Sequence, residues 1–369
     1  MKTNLCRLLI LVWMMGLSVK TETTYAQQQT PVSPYLEAFL SLKTAVDQRF
    51  SDSTTGMYHD NPEKGEKAKP YSYLWPLCGL LQAYNEQEKL QPGASDFNRV
   101  WKAIRYYYDP APPAPAFASY PPTEGGGARF YDDNQWIGIA MLNAYPHGHE
   151  PAALKAGETV YKFMMTGFDT ILGGGLYWEE DKKTSKNTCS NGPGVLVALQ
   201  LYQFTKHKFY LDTALLLYNW VNEKLRSPEG LYYDNLRLDG HLGKAQFSYN
   251  SGSMLESSVY LYEITRDKKY LAAAKSIADA ALNFFYEDGH FRDSYWFNAV
   301  QLRAFQHLLR YDHDNKYVKA FEKCTLQALN NDKNATGLMG TKAPHSLVDQ
   351  AGMLEILARL AWLQQRKLI

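Results

Sequence analysis

A short glycine–apolar–aromatic motif recurs along this chain of 369 residues and limits what the chain can fold into. Clear copies are Gly56-Met57-Tyr58, Gly175-Leu176-Tyr177 and Gly230-Leu231-Tyr232, each between segments of helical periodicity. Weaker copies at 127–130, 289–291 and 337–339 complete a spacing of about 56 residues, which is typical of helical repeat architectures. Because two helices and a turn fill that length, the sequence predicts six repeated helix pairs.

Apolar residues at helical spacing predict twelve helices, and few segments alternate with period two, so no large sheet is expected. The predicted helices are 35–50, 73–89, 95–108, 134–145, 150–165, 192–205, 207–225, 252–265, 267–286, 295–310, 315–330 and 346–365. Six pairs could form an open solenoid or close into a ring. Closure would gather the glycine turns at one rim and create a cleft there.

The proline-rich stretch 109–127 interrupts this pattern and ends in three glycines. Prolines suppress helix and glycines free the backbone, so the stretch could be a linker between two domains. The helix-pair spacing continues across it, however. We therefore expect an ordered loop on the rim of the cleft.

The amino-terminal segment is typical of an export signal. A basic start precedes the apolar run 8–17, and about ten apolar residues are too few to span a membrane. Cleavage after Ala26 would make residues 1–26 a signal peptide and 27–369 a single domain. A short membrane anchor is the alternative.

Composition excludes several classes of function. The 39 basic and 38 acidic residues nearly cancel, which argues against a nucleic-acid partner. Cys78, Cys189 and Cys324 lie far apart, so they predict buried thiols rather than a disulfide framework or a metal cluster. The 27 tyrosines and 8 tryptophans could build a tyrosine-rich core or platforms that stack on sugar rings, and composition leaves both open.

The adjacent acids Asp132 and Asp133 are the first candidate site. They follow the long loop and precede a helical segment, so they lie at a helix amino terminus, where backbone N–H groups favour negative charge. An ordinary acidic helix cap is the plain alternative. Adjacent like charges also push pKa values apart, and a glycosidase needs one ionised and one protonated carboxyl group.

Three further motifs stand at the starts of predicted helices, so all of them could face one cleft. They are 173–180 continuing to 186–194, then 247–252, and 294–298, each rich in glycine, amide, hydroxyl or aromatic residues. Turns with helix caps would explain them equally well. The His147 and His149 pair has no metal-ligand spacing tied to a carboxylate, and no phosphate-binding or hydrolase-elbow motif is present.

The segment Tyr131-Asp132-Asp133-Asn134-Gln135-Trp136 resembles the signature of glycoside hydrolase family 76, the endo-α-1,6-mannanases. The segments 173–178, 186–193, 247–250 with Gly252, and 349–355 are similar to further blocks of that family. The matches run from about residue 40 to 363, nearly the whole predicted domain. The stretch 295–305 fits the family only loosely, which leaves the preferred substrate length open.

The resemblance implies an all-α fold, an (α/α)6 barrel, and retaining hydrolysis inside α-1,6-linked mannan backbones. It implies that Asp132 is the nucleophile and Asp133 the acid/base. Candidate sugar contacts are Asn134, Gln135, Trp136, Trp178, Asn187, Asn191, Tyr249 and Asn250. We expect an exported, periplasmic or extracellular monomer without cofactor, metal or membrane span in the mature chain. Its expected substrate is mannan polysaccharide or manno-oligosaccharides, with fungal cell-wall α-mannan as the source.

Two other functions fit the same sequence. Another α/α-barrel carbohydrate enzyme, such as an uronyl hydrolase or lyase, would act on acidic sugars and should have a basic cleft. Only Arg129 stands near the acid pair, without a basic cluster. A non-catalytic glycan-binding protein could use the same cleft, although it would not need the two acids.

The export signal predicts a mature chain that begins at or near Gln27. Intact-mass measurement on protein from the native host tests this prediction. A mass that still includes residues 1–26 would contradict cleavage.

Overall fold

The computed structural model describes residues 33–63, 69–148 and 151–369, and that part of the chain contains twelve α-helices. They are α1 Pro34–Phe50, α2 Leu74–Leu90, α3 Phe97–Ile104, α4 Tyr131–Ala144, α5 Ala152–Met165, α6 Thr188–Thr205, α7 Lys208–Lys224, α8 Ser248–Thr265, α9 Lys268–Phe285, α10 Tyr295–Asp312, α11 Lys316–Asn331 and α12 Leu347–Gln365. Each overlaps one predicted helix. The predicted signal peptide, residues 1–26, lies outside the described residues.

Seven short strands form three small antiparallel sheets among the described residues. They are β1 Tyr108–Asp109, β2 Ala116–Phe117, β3 Ser185–Asn187, β4 Tyr233–Arg237, β5 Leu242–Gln246, β6 Tyr286–Glu287 and β7 His290–Phe291. The largest sheet has the order β3-β4-β5, with Asn187 opposite Asn235. The sequence predicted no large sheet and also missed these short strands.

The even-numbered helices form a closed inner ring. Each packs against the next from α2 to α12, and α12 packs against α2 to close the circle. The odd-numbered helices lie outside, each against an inner helix. The predicted (α/α)6 barrel is thus confirmed, and the open solenoid is excluded.

Burial patterns explain which helices lie inside. Every residue of α6 from Thr188 to Leu201 is buried, as expected for a helix covered on all sides. The outer helix α9 fully buries only one stripe at helical spacing, and its other residues are half-buried or exposed. That stripe is Tyr270, Ala274, Ile277, Ala278, Ala281 and Phe285. The two layers therefore differ in sequence pattern as well as in position.

The recurring glycine motifs are tight turns at the end of the barrel where the inner helices begin. Gly175 and Gly230 have φ values of 84° and 88°, a left-handed conformation that side chains disfavour. Tyr177 and Tyr232 are 2% and 0% exposed. These motif tyrosines therefore belong to the core and do not serve as platforms for sugars.

The proline-rich stretch is an ordered loop held by Arg129. The guanidinium donates to the carbonyl oxygens of Ala111, Pro112 and Ala114 at 3.0, 3.0 and 3.2 Å. It also forms a two-pronged ion pair with Glu180, with both nitrogen–oxygen distances 2.6 Å. The loop is thus tied to the barrel, as the repeat spacing predicted.

Within the described ranges, no helix combines the length and apolar character that crossing a bilayer requires. Cys78, Cys189 and Cys324 are buried free thiols, as predicted.

Gly352 sets the distance between α12 and α10, and Gly352→Ala should destabilise the chain. A Cβ there would lie 2.6 Å from Trp296 Cα, a backbone atom that cannot rotate away. We expect a loss of about 3 kcal/mol in the free energy of unfolding, measured by urea denaturation.

Gly138→Ala in α4 is the matched control. Its Cβ would meet only side-chain atoms, the nearest being Val160 Cγ1 at 3.1 Å. An equal or larger loss in this control would show that close packing at Gly352 is not the cause.

Candidate functional site

A cleft of about 510 Å³ opens at the end of the barrel where the inner helices begin. Five of the six inner helices contribute side chains from their first turns. The lining residues are Tyr73, Trp75, Ser119, Phe130, Asp132, Asp133, Trp136, Trp178, Ser185, Asn187, Cys189, Asp234, Asn235, Tyr249, Trp296 and Phe297. Six of the ten predicted site residues are among them: Asp132, Asp133, Trp136, Trp178, Asn187 and Tyr249.

Asp132 and Asp133 occupy the first turn of α4, which begins at Tyr131. The prediction placed the helix start at Asn134, so the acids are the second and third helical residues rather than a cap. Successive residues on a helix diverge by about 100°. Both carboxyl groups nevertheless reach the cleft, because the free end of the helix projects into it.

The Asp132 carboxylate accepts hydrogen bonds at both oxygens. The backbone N–H of Asp133 donates to Oδ1 at 3.0 Å, and Trp178 Nε1 donates to Oδ2 at 3.2 Å. The Cys189 side chain also acts to lower the pKa of Asp132. Burial raises the pKa of Asp132 to about 6, and these donors oppose that rise.

Asp133 has a different electrostatic environment from its neighbour. Burial is the largest cause that raises its pKa well above the ordinary value, and the charge of Asp132 raises it further. The surroundings therefore favour ionisation of Asp132 before Asp133. The structure thus gives the two acids different tendencies to ionise.

Backbone hydrogen bonds hold Trp178 above the acid pair. The N–H of Tyr131 donates to the carbonyl of Trp178 at 3.0 Å, and the N–H of Trp178 donates to Ser185 at 3.3 Å. The indole ring lies 5.0 Å from the Phe130 ring, centroid to centroid. Trp178 is 41% exposed, so its ring is available at the rim.

The buried Lys186 supports the glycine turn that precedes Trp178. Its ammonium contacts Asp169 Oδ1 at 2.5 Å and the carbonyls of Ile171 and Gly174 at 2.9 and 2.6 Å. A fully buried ammonium with these partners fixes the backbone around it. Lys186 is therefore structural, whereas its neighbour Asn187 reaches the cleft.

Aromatic side chains form much of the remaining surface of the cleft. The Trp296 ring meets Trp75 and Trp136 edge to face, at 5.3 and 5.1 Å between centroids. Tyr249 stacks on Phe297 at 4.1 Å. Trp296 and Phe297 lie in the stretch that fits the family loosely, so that stretch does shape the cleft.

Four predicted sugar contacts, Asn134, Gln135, Asn191 and Asn250, are fully buried and do not line the cleft. Asn191 instead donates to and accepts from the backbone of Leu176. The physical reason is that α6 and α8 each begin four residues earlier than predicted. These motifs are thus first helical turns, and only one face of a turn reaches the cleft.

Asn134 likewise braces the proline-rich loop. Its amide accepts from the N–H of Phe117 at 2.8 Å and donates to the Phe117 carbonyl at 2.9 Å. Gln135 points away from the cleft towards α5, where its Nε2 contacts the Met164 sulfur at 3.7 Å. Both side chains thus make structural contacts next to the acid pair in the sequence.

Asp234 and Asn235 line the cleft and were missed by the sequence analysis. They lie on β4, where Asn235 Nδ2 donates to Asp234 Oδ2 at 2.6 Å, and burial raises the pKa of Asp234. The sequence nevertheless contained a pattern that could have identified these two residues. They follow the motif at Gly230 after one intervening residue, Tyr233, and Trp178 follows the motif at Gly175 directly.

In the described part of the chain, no three or more histidine, cysteine, aspartate or glutamate side chains are grouped so that they could hold a metal ion. Arg129, the cation that an acidic substrate could have used, is not in the cleft lining and is paired with Glu180.

Sequence comparison links the chain to a known family. The family model for glycosyl hydrolase family 76 matches residues 41–309. The chain is 31% identical over 173 residues to mannan endo-1,6-alpha-mannosidase DCW1 of Saccharomyces cerevisiae, covering 42% of this chain and 38% of that protein. DCW1 of Candida albicans is 28% identical over 171 residues, with the same coverage. The chain thus spans about two fifths of the length of these curated relatives.

Solved structures share the fold. Glycoside hydrolase family 76 (mannosidase) Bt3792 from Bacteroides thetaiotaomicron superposes with a TM-score of 0.82 at 26% identity, covering 91% of this chain and 100% of that one. The α-1,6-mannanase GH76A of Salegentibacter superposes with a TM-score of 0.75 at 21% identity, covering 89% of this chain and 99% of that one. That structure is an inactive variant in which two consecutive aspartates are replaced by asparagine, with α-1,6-mannotriose bound. The predicted fold and the predicted family resemblance are both confirmed.

Asp132→Asn should stabilise the folded chain, increasingly so as pH rises. The pKa of Asp132 is about 6 when folded against an ordinary 3.8, so ionising this group in the folded state opposes folding. The wild type keeps its stability below about pH 4 and loses part of it as pH rises through about 6. We expect the gain to be about 1–2 kcal/mol larger at pH 7.5 than at pH 4.5, by urea denaturation.

The exposed Asp212→Asn on α7 controls for the general effect of removing an acid. A gain for Asp132→Asn that is the same at both pH values would contradict the assigned origin of the effect.

Proposed function

The chain belongs to glycoside hydrolase family 76, and from that premise we propose that it hydrolyses α-1,6-mannosidic bonds inside mannan backbones with retention of configuration. The observation that carries the proposal is the environment of the two cleft acids. Asp132 accepts hydrogen bonds at both oxygens, and burial beside it raises the pKa of Asp133. A retaining glycosidase needs one acid of each kind.

In the proposed mechanism, an Asp132 oxygen attacks the anomeric carbon while Asp133 gives its proton to the departing glycosidic oxygen. The products of this step are a mannosyl ester on Asp132 and the released chain end. Asp133, now ionised, then takes a proton from a water molecule that attacks the same anomeric carbon and displaces the Asp132 carboxylate. This second step restores both acids and leaves the configuration unchanged.

The order of the two pKa values supports this assignment independently of the family. The acid with the lower pKa is the better candidate for attack, because it is ionised when its neighbour still holds a proton. The Trp178 and Asp133 N–H donors favour the ionised form of Asp132. Burial beside that charge favours the protonated form of Asp133.

The lining of the cleft supports a neutral sugar polymer as the substrate. Among the described residues the cleft contains three acids, Asp132, Asp133 and Asp234, and no lysine or arginine. Carboxylate and amide groups accept and donate hydrogen bonds to hydroxyls, and aromatic rings pack on sugar C–H faces. Acidic sugars would meet uncompensated negative charge, which argues against the uronyl hydrolase or lyase alternative.

A non-catalytic glycan-binding protein is the second candidate. A binding site would gain nothing from a carboxyl group whose burial keeps it protonated beside another acid, because burying such groups is costly. The acid pair therefore favours the enzyme. Export of the chain, a monomeric state and fungal cell-wall mannan as the natural source remain part of the proposal, on the resemblance and the amino-terminal pattern.

Digestion of debranched α-1,6-mannan tests the proposed function. We expect short manno-oligosaccharides, with internal cleavage shown by a rapid fall in chain length. Binding to mannan without any product would favour the glycan-binding alternative. Cleavage of uronic-acid polymers instead of mannan would favour the other enzyme class.

The two acids should respond differently to substitution. Asp132→Asn should abolish cleavage of every substrate, because it removes the oxygen that attacks the anomeric carbon. Asp133→Asn should lower kcat/KM on mannan by about 10²–10⁴-fold but spare a mannoside whose leaving group is already acidic, since that bond needs little protonation. Steady-state kinetics on both substrates measure the difference.

The anomer that forms first reports the stereochemistry. NMR of the early reaction should show the α-anomer before mutarotation. An initial β-anomer would rule out retention, and substantial activity in Asp132→Asn would show that the nucleophile is another residue.

Trp178 should matter far more for catalysis than for folding. Its ring is 41% exposed, so Trp178→Ala should change the melting temperature by only about 2–3 °C. Loss of the rim ring and of the hydrogen bond to Asp132 should lower mannan cleavage by about tenfold or more.

Phe209→Ala on α7 is the control, since Phe209 is an exposed aromatic, 51% exposed, that does not line the cleft. If Trp178→Ala loses melting temperature and activity together, the ring is a core element and not a sugar platform.

A further inference from the structure

Arg303 lies between the cleft and a second cavity. It belongs to α10 and lines a cavity of about 550 Å³ at the end of the barrel opposite the cleft. Its guanidinium carbon lies over the Trp136 ring, 5.6 Å from the ring centroid, within the range of a cation–π contact. Trp136 lines the cleft. A wall of the cleft and a wall of the second cavity therefore meet at these two side chains.

The helix α10 contacts Trp136 at two points. Trp296 and Arg303 are seven residues apart, which is about two helical turns, so both side chains lie on the same face of α10. The Trp296 ring meets the Trp136 ring edge to face at 5.1 Å, and the Arg303 guanidinium lies over the same ring. Both residues belong to the stretch 295–305, where this chain fits the family only loosely. That stretch therefore fixes a ring of the cleft from the interior of the barrel.

The nitrogen atoms of Arg303 have different partners. Nε donates to Glu256 Oε2 at 2.7 Å, and the two side chains are 6% and 5% exposed. Nη2 is buried and has no hydrogen-bond partner among the described residues. A buried N–H without an acceptor is destabilising, and the electron-rich face of an indole offsets part of that loss. Glu256 thus anchors the guanidinium and balances its charge, while Trp136 supplies the remaining contact.

We propose that Arg303 is a positioning residue for the sugar cleft: anchored by Glu256, it holds the Trp136 ring in its binding position from the interior of the barrel. The proposal rests on the proposed function, in which Trp136 contacts the bound mannan chain. Arg303 itself does not touch the substrate. A ring that is fixed before the sugar arrives loses less freedom on binding, so the substrate binds more tightly.

The test is the steady-state kinetics of the neutral pair, Arg303→Met combined with Glu256→Gln, on α-1,6-mannan. Both charges are removed together, because a buried carboxylate without its partner destabilises the chain, whereas neutral replacement of a buried ion pair is tolerated. His307 keeps its contact with Glu263 at 2.9 Å. We expect KM to rise roughly tenfold with kcat little changed, because a mobile ring weakens binding of the ground state and the transition state alike.

Arg359→Met combined with Glu355→Gln is the matched control. That pair is also buried and is joined at 2.9 Å, and Arg359 lines the second cavity, but its Nη1 donates to Gln306 where Arg303 faces a ring. Glu86 keeps Lys89 as a partner. The control should keep the KM of the wild type. An equal rise of KM in the control would overturn the proposal.

A merely structural role for Arg303 gives a different kinetic result. Loss of stability leaves fewer folded molecules, which lowers the apparent kcat and leaves KM unchanged. That outcome for the neutral pair, or no change in either constant, would contradict the proposal. Arg303→Lys keeps a cation beside Glu256 and the ring, so it should recover most of the wild-type KM. A KM as high as that of the neutral pair would show that the cation is not the cause.

Trp136→Leu shows whether Arg303 acts through the ring. In that background the neutral pair should raise KM no further, because the ring that Arg303 holds is already gone. Equal increases with and without the ring would contradict the proposal.

Arg303→Gln combined with Glu256→Gln, whose amides can hydrogen-bond to each other, serves as the neutral pair if the methionine variant does not fold. The same outcomes then decide the test. Failure of the proposed function is recognised separately, because the wild-type chain would then not cleave mannan.

Discussion

The parallel alignment of six inner helices determines where charge can be buried in this barrel. Their amino-terminal ends meet at the cleft, where free N–H groups and helix dipoles favour negative charge and the acids Asp132 and Asp133 lie. Their carboxyl-terminal ends meet at the opposite end, where dipoles favour cations. Arg303 and Arg359 line a cavity there together with acids, and they pair with Glu256 at 2.7 Å and Glu86 at 3.0 Å. Buried charge is thus neutralised by ion pairs in that cavity, whereas among the described residues no lysine or arginine lines the cleft beside the acid pair.

The acid pair shows how two aspartates in one helix turn can acquire different pKa values. Both carboxyl groups are withdrawn from water, so desolvation raises the pKa of each. The donors at Asp133 and Trp178 reach Asp132 and lower its pKa relative to its neighbour. The same desolvation that prepares the pair for chemistry opposes folding at neutral pH, as is common for active sites. Stability and reactivity are in conflict at these two positions for one physical reason.

Much of the fold could be predicted because helical periodicity is a local property of the sequence, and the repeat exposed the pairing of helices. Closure into a ring could not be derived locally, since it depends on contact between α2 and α12 at opposite ends of the chain. At the site, the adjacency of Asp132 and Asp133 and the aromatic Trp178 were visible in sequence. Asn191 and Asn250 were misplaced because polar first turns look like loops. The strand β4, short and half-buried, carries no clear alternation.

The repeat itself explains why Asp234 was missed and how it could have been found. In each strong copy, the glycine makes the turn and the next two residues enter the core, as Leu176, Tyr177, Leu231 and Tyr232 do. The chain then emerges at the rim, so the third and fourth residues after the glycine are free to differ between copies. Trp178 occupies the third position after Gly175, and Asp234 the fourth after Gly230. Within one motif, the first two residues after the glycine therefore belong to the core, and the third or fourth lines the cleft. The residues of the site lie at the positions where the copies of the repeat differ.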